Sequence, residues 1–392
     1  MGNVQITQSN GALGGTPVTN DGVAAMVIGV ASMTTLTLNT VYTFHSLADA
    51  LSQGLSVDDE FAYQQIAEFY AEAPVGTELW VEFMINTVLF ATMVDPAASH
   101  GAKELVDASN GVVRLLGIAR VPDGSYTPTT NKVIDQDCIT AATNAQTLAE
   151  DYFAKYTPIH VLIEARVVNT GTPVLVDATT LSKNKVSLVV GGSAAINDLD
   201  EGGASVGAAL GRLSKNTVQR NIGAVEDGNV QIDGLGYIGA STVDALFNLG
   251  TLGTFPTNGY ITLFKYAQKA GYYWSDDPTA TANTDDYKSV ASNRVINKAT
   301  ILTYATYVEK VNTDVLVDAT GKLDAGVAKS LEGIIENAVN TAMAGEISNF
   351  QASIDPNQNV IAQNKINIVE KVTPKAYLKE IDVVLGFENP FS

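Results

Sequence analysis

One stretch of this 392-residue sequence has the layout of a nucleotide site. Gly234-Leu-Gly-Tyr-Ile-Gly239 follows a possible strand, Val230 to Ile232, and precedes a helical pattern starting at Thr242. In a dinucleotide fingerprint the glycines let the backbone approach a pyrophosphate at a helix N-terminus, and an acidic residue about 20 positions on holds the ribose. Here Tyr260 to Gln268 carries Lys265 and no Asp or Glu. A turn before a packed helix is the preferred reading. Gly203, Gly207 and Gly211 put small residues on one helix face, as close helix-on-sheet packing needs. His45, His100 and His160 are far apart and not in a metal spacing. Cys138 falls within an apolar helical stripe and reads as a core thiol. Asp198, Asp200 and Glu201 lack the spacing of a calcium loop and read as a polar turn. Asp276-Asp277 and Asp285-Asp286 flank a polar loop, 276–286, read as a solvated face with a weak calcium site as the alternative. No catalytic, cofactor or metal site is expected.

The elements around these residues alternate. Val23 to Val30 is a continuous apolar run, the pattern of a strand buried on both faces. Ser46 opens a short helix, Leu47 to Gln53, that Gly54 stops; Ser56 is read as the cap of a second, with Asp58, Asp59 and Glu60 in its first turn. Further strands are read at 79–85, 111–118, 159–164, 186–190 and 260–264, and helices at 103–108, 135–156, 202–213 and 242–249. The class is α/β, a mixed α+β arrangement. After the polar loop the pattern changes to two long helices, 287–312 and 324–347, then to extended segments 365–369 and 377–385. The division is an N-terminal arm and linker (1–20), a core of one or two subdomains (21–270), a loop and helical part (271–354) and a C-terminal arm (355–392).

Composition narrows the function classes. Hydrophobic residues are 46%, ample for a core, while charged residues are 17%, low against the roughly 25% of a soluble domain. Much of the surface is therefore expected to face other protein. The net charge is −19 and the first cationic residue is Lys103, which disfavours nucleic acid and leaves no basic region for a secretory signal. Val23 to Met33 is too short to span a bilayer, so no membrane contact is expected.

The chain ends carry the remaining signal. Val4 and Ile6 alternate with polar residues, and Gly11, Gly14 and Gly15 follow in a linker. Ile366 and Ile368, then Ile381, Val383 and Leu385, alternate in the same way at the other end. Such strands either fold back on their own sheet or pair with a neighbour's, which repeated head to tail builds a helical filament or stacked rings.

On four stretches the sequence resembles the tail sheath proteins of contractile phage tails and contractile injection systems. These are Gly11-Ala-Leu-Gly-Gly-Thr-Pro-Val-Thr-Asn-Asp-Gly-Val23, the segment Tyr42 to Gly54 with Ser46-Leu-Ala-Asp-Ala50, the helix Ser292-Asn-Arg-Val-Ile-Asn-Lys298, and Ile366 to Phe387 with Val372-Thr-Pro374. Gly271-Tyr-Tyr-Trp-Ser275 sits where many sheaths have a Trp motif followed by a basic residue, but Asp276-Asp277 follows here. The resemblance implies a non-enzymatic subunit, assembled in the bacterial cytoplasm, that stacks in rings around an inner tube between baseplate and cap proteins. It implies that arms of neighbours complete a shared sheet, into which Val4, Ile6, Ile366, Ile368, Ile381, Val383 and Leu385 would fall, with Gly11, Gly14 and Gly15 as hinges. The late helices would then face the tube, with Lys298 and Lys310 as candidate contacts. The rival readings are another particle protein (tube, capsid or surface-layer subunit) and a nucleotide-dependent enzyme.

Overall fold

The computed structural model describes residues 21–129, 133–168 and 174–388. In chain order the strands are β1 (Ala24–Val30), β2 (Val41–Phe44), β3 (Leu79–Ile85), β4 (Leu115–Arg120), β5 (His160–Glu164), β6 (Val186–Val190), β7 (Gly192–Ser193), β8 (Gly236–Ile238), β9 (Ser241–Thr242), β10 (Tyr260–Phe264), β11 (Tyr273–Trp274), β12 (Asn349–Ser353) and β13 (Val369–Thr373). The helices are α1 (Leu47–Gln53), α2 (Glu60–Glu72), α3 (Phe90–Met93), α4 (Ala102–Ala108), α5 (Gln136–Ala154), α6 (Ala194–Leu199), α7 (Val206–Lys215), α8 (Val243–Asn248), α9 (Thr254–Thr257), α10 (Val290–Val308), α11 (Ala325–Ala342) and α12 (Val360–Gln363). Among the described residues no helix is long and apolar enough to cross a membrane.

An eight-stranded sheet, ordered β11-β10-β6-β5-β4-β1-β3-β2, organises the larger part. The run from β10 to β3 is parallel, and short antiparallel strands, β11 and β2, close the two edges. Parallel strands are covered on both faces, which is why every residue of β1 and of β5 is buried. On β4, alternate residues face opposite layers. Gly117 lies under Leu210 and Val206 of α7, while Arg120 meets Phe90 of α3 and Asp137 of α5. Fully buried side chains such as Ile66 and Phe69 on α2 each stabilise the fold by about 2 kcal/mol.

The local signals at α1 hold. The Ser46 Oγ accepts the Asp49 N–H at 3.0 Å, and Gly54 closes the helix at φ 116°, where a side chain would be strained. The next helix starts later than expected: Asp59, not Ser56, occupies the N-cap. Its carboxylate accepts from the N–H groups of Thr34 (2.6 Å) and Ser56 (2.9 Å), folding the preceding turn before the helix can begin.

One glycine reading holds and one changes. Gly234 to Gly239 leads into a turn before a helix, as preferred: β8 and β9 make a hairpin turning at Gly239 just before α8, although 230–232 forms no strand. Gly207 and Gly211 bring α7 onto another helix rather than onto the sheet. A Cβ at Gly207 would lie 1.9 Å from the Gln65 carbonyl oxygen, and one at Gly211 would lie 2.3 Å from that of Phe69, both on α2. The Gln65 side chain seals this contact by donating to the Ala204 carbonyl and accepting the Gly207 N–H, each at 2.8 Å.

The late helices α10 and α11 fall inside the expected spans and pack with β12 around a second cluster, including Val295, Leu302, Ile335, Val339 and Phe350. The final strand is displaced from expectation: Val369–Thr373 pairs antiparallel with β12 of the same chain, whereas 365–368 and 377–385 form no strand. Val4, Ile6, Gly11, Gly14 and Gly15 lie outside the described residues.

Candidate assembly surface

The β12–β13 pair has two unlike edges. On the outer side of β12, α11 supplies the partners. The N–H of Phe350 donates to the Asn340 Oδ1 (3.1 Å), that of Ala352 to the Glu336 Oε1 (2.9 Å) and that of Ile354 to the Glu332 Oε1 (2.7 Å); the Asn340 Nδ2 donates to the Phe350 carbonyl (3.1 Å). By the register, Phe350 faces Val372 and Ala352 faces Glu370. The backbone groups of Glu370 and Val372 therefore point away from β12, toward an edge of β13 without a strand partner among the described residues.

A groove lies beside that edge. One part, of about 480 Å³, is bounded by Ile296, Thr300 and Tyr304 of α10 and by Phe350 and Val372 of the sheet. It continues into a cleft of about 1140 Å³ bounded by Val311, Leu331, Ile361, Ile366 and Ile368. Thr303 and Tyr307 line both parts. The Thr303 hydroxyl donates to the Glu370 carboxylate at 2.7 Å, and burial raises that carboxyl's pKa above its ordinary value. The groove thus combines free main-chain donors and acceptors with an apolar helix face, which is what an added strand requires.

The end of the described chain offers the complementary surface. Ile381, Val383 and Leu385 are 76%, 78% and 94% exposed, with Leu378 and Phe387 exposed beside them. The root of this segment is held down. The Tyr377 hydroxyl donates to the Gln219 carbonyl at 2.6 Å, and Lys379 lies 2.5 Å from the Asp276 carboxylate. Ile366 and Ile368 are not part of it, since both pack within the same chain against the cluster of Leu323, Ala328 and Ile354.

The two candidate tube contacts differ. Lys298 is only 7% exposed, and its ammonium binds Asp21 (2.6 Å) and Glu346 (2.8 Å), joining the start of β1 to the end of α11. It is a buried ion-pair centre, not a surface contact. Lys310 follows α10 and is exposed.

The chemically suggestive residues resolve into structural roles, with one exception. The parallel strands reverse order between β1 and β4, where a fold of this kind opens its ligand crevice. Here the buried Arg120 guanidinium lies there, between the rings of Phe90 (4.9 Å) and Tyr126 (4.5 Å), and donates to the Asn86 and Val88 carbonyls. The Cys138 thiol is buried, which pushes its pKa well up. Burial pushes the His160 imidazole down to about 3, and its Nε2 meets the Ser187 hydroxyl at 3.0 Å. Asp200 pairs with Arg166. In the acidic loop Asp277 accepts the Ala291 N–H at the start of α10, and Asp285 accepts that of Tyr287. The exception is Glu82, His100 and Glu104, which the fold gathers from β3 and the start of α4.

The Glu332, Glu336 and Asn340 cap has no direct sequence signal, because α11 reads as an ordinary amphipathic helix. The alternation of polar and apolar residues at Asn349–Ser353 was available as a strand signal.

Several solved structures share this fold over their whole length. The helical sheath of the anti-feeding prophage in its contracted state is 13% identical, with a TM-score of 0.62 and 98% of each chain covered. The contracted PVC sheath complex of an extracellular contractile injection system is 12% identical, with a TM-score of 0.56 over 100% of this chain and 99% of that one. The sheath tail protein of Desulfitobacterium hafniense is 11% identical, with a TM-score of 0.53 over 95% and 100%. No curated protein sequence matches. The sequence matches the DUF2586 N-terminal domain over residues 1–278 and the DUF2586 C-terminal domain over residues 286–392. The fold is that of contractile sheath proteins, and the chain belongs to the DUF2586 family.

Proposed function

We propose that this chain is a structural subunit of a contractile sheath, in a phage tail or an injection particle, that polymerises by exchanging strands with its neighbours and carries out no catalysis. One juxtaposition carries the reading: an open strand edge over an apolar groove on the same molecule as an exposed apolar segment anchored at Tyr377 and Lys379. Leaving Ile381, Val383, Leu385 and Phe387 in water forfeits about 1.5–3 kcal/mol each that burial against a neighbour would recover. Main-chain pairing tolerates any side chain, so the link survives while the core domains reorient. The arms are residues 1–20, with Val4 and Ile6 pairing and Gly11, Gly14 and Gly15 bending, and 355–392, whose part beyond Pro374 is the segment offered to a neighbour; 21–270 and 271–354 form the body between them. The partners are further copies of this chain, an inner tube for which the exposed Lys310 is a contact, and the proteins that begin and end the sheath. Assembly takes place in the bacterial cytoplasm.

Deletion of residues 376–392 tests this directly. Full-length protein is expected to form tubes in negative-stain images, and the truncated protein is expected to stay folded and monomeric, with a melting temperature lowered only slightly by loss of the Tyr377 and Lys379 contacts. Tubes formed by the truncated protein would remove the C-terminal segment from the assembly. Deletion of 1–10 makes the same test at the other end.

A further inference from the structure

Glu82 sits in the middle of β3 with its side chain fully buried. Its Oε1 accepts the Gly101 N–H at 3.0 Å, and its Oε2 has no hydrogen-bond partner. An ionised Glu82 leaves a buried charge whose nearest ion-pair partner is the His100 ring at 3.8 Å. A protonated one leaves an O–H with no acceptor. Either state is costly in a buried site. A bound cation satisfies it.

The rest of the site is built around that oxygen pair. Gly101 has φ 96°, and a Cβ there would lie 2.6 Å from the Met93 carbonyl oxygen, so the backbone can turn here only at glycine. That turn sets His100 over Glu82 and starts α4 so that Glu104 follows four residues on. The His100 Nδ1 lies 2.6 Å from the Glu104 Oε2. One donor atom from each of Glu82, His100 and Glu104 lies within 4.8 Å of the other two. His100 and Glu104 are half-exposed, which leaves an entry path and room for water to complete the shell.

We propose that Glu82, His100 and Glu104 bind a divalent transition-metal ion of the zinc class, clipping the turn before α4 to β3. One imidazole and two carboxylates suit such ions, whereas calcium and magnesium favour all-oxygen shells.

The test is a calorimetric titration of full-length protein, stripped with chelator, against zinc chloride, with thermal melts alongside. One saturable site per chain is expected, with a rise in melting temperature as the ion binds only the folded state. His100→Ala, Glu104→Gln and the buried isostere Glu82→Gln should each weaken it about tenfold or more, because each removes one of three ligands. His45→Ala, which alters a surface histidine beside Asp49, should leave it unchanged. Magnesium at the same concentration should produce neither effect. Absence of a saturable site overturns the proposal. So does equal affinity in wild type, His100→Ala and Glu104→Gln, which would assign the binding to the acidic surface at large.

Discussion

Two of the three sheets among the described residues treat their edges in opposite ways. The large sheet ends in short antiparallel strands, β2 and β11, and every residue of its central strand β1 is buried. Its six inner strands are paired on both sides within one chain. The small β12–β13 sheet is finished on one side only, and the chain end beyond it exposes apolar residues that its own body does not cover. On the proposed reading the first region carries stability and the second would carry association. Substitutions in the two should therefore separate cleanly.

The sharpest break is expected at the α2–α7 contact. Gly207→Leu drives a side chain into the Gln65 carbonyl, and with no flexible atom there to yield it should cost about 3 kcal/mol or more, seen as a large fall in melting temperature. The double substitution Val383→Asp, Leu385→Asp should instead leave stability within about 0.5 kcal/mol, since both residues are exposed, while abolishing tubes in electron micrographs. A stability loss in the second variant comparable to that in the first would erase the distinction.

A pH series sharpens it further. The Glu68 carboxyl is buried against Ser193, and burial raises its pKa above the ordinary value. A raised carboxyl pKa means the folded state holds its proton longer than the unfolded state. Its contribution is therefore full below the unfolded pKa and is lost as pH rises through the folded one. Denaturant midpoints should fall as pH rises above the ordinary carboxyl range in wild type, and less steeply in Glu68→Gln. The smallest effect is expected at the arm's root. Tyr377→Phe removes one hydrogen bond to the Gln219 carbonyl, about 1 kcal/mol or less, and should slow polymerisation more than it lowers melting temperature.

Legibility in the sequence followed the range of the forces involved. Ser46 and Gly54 set α1 through contacts three or four residues away, and the apolar run of β1 needs only its own composition, so both were readable. The Asp59 cap depends on Thr34, 25 residues distant, and so was misplaced. Lys298 looked like any exposed helical lysine until Asp21 and Glu346 were brought beside it. The alternation at Ile381 to Leu385 was legible as a pattern, but a pairing for it was not, because on the proposed reading that partner would lie on another copy. His100 and Glu104 are one helical turn apart, yet Glu82 joins them only through the sheet.

The carboxylates and amide that α11 lays along β12 have a directional consequence. With one flank closed, a neighbour's strand, if exchanged as proposed, could add from a single side only, so each copy would accept in one direction and donate in another. Growth by that route would be vectorial: it would neither branch nor run on into an unlimited stack of strands.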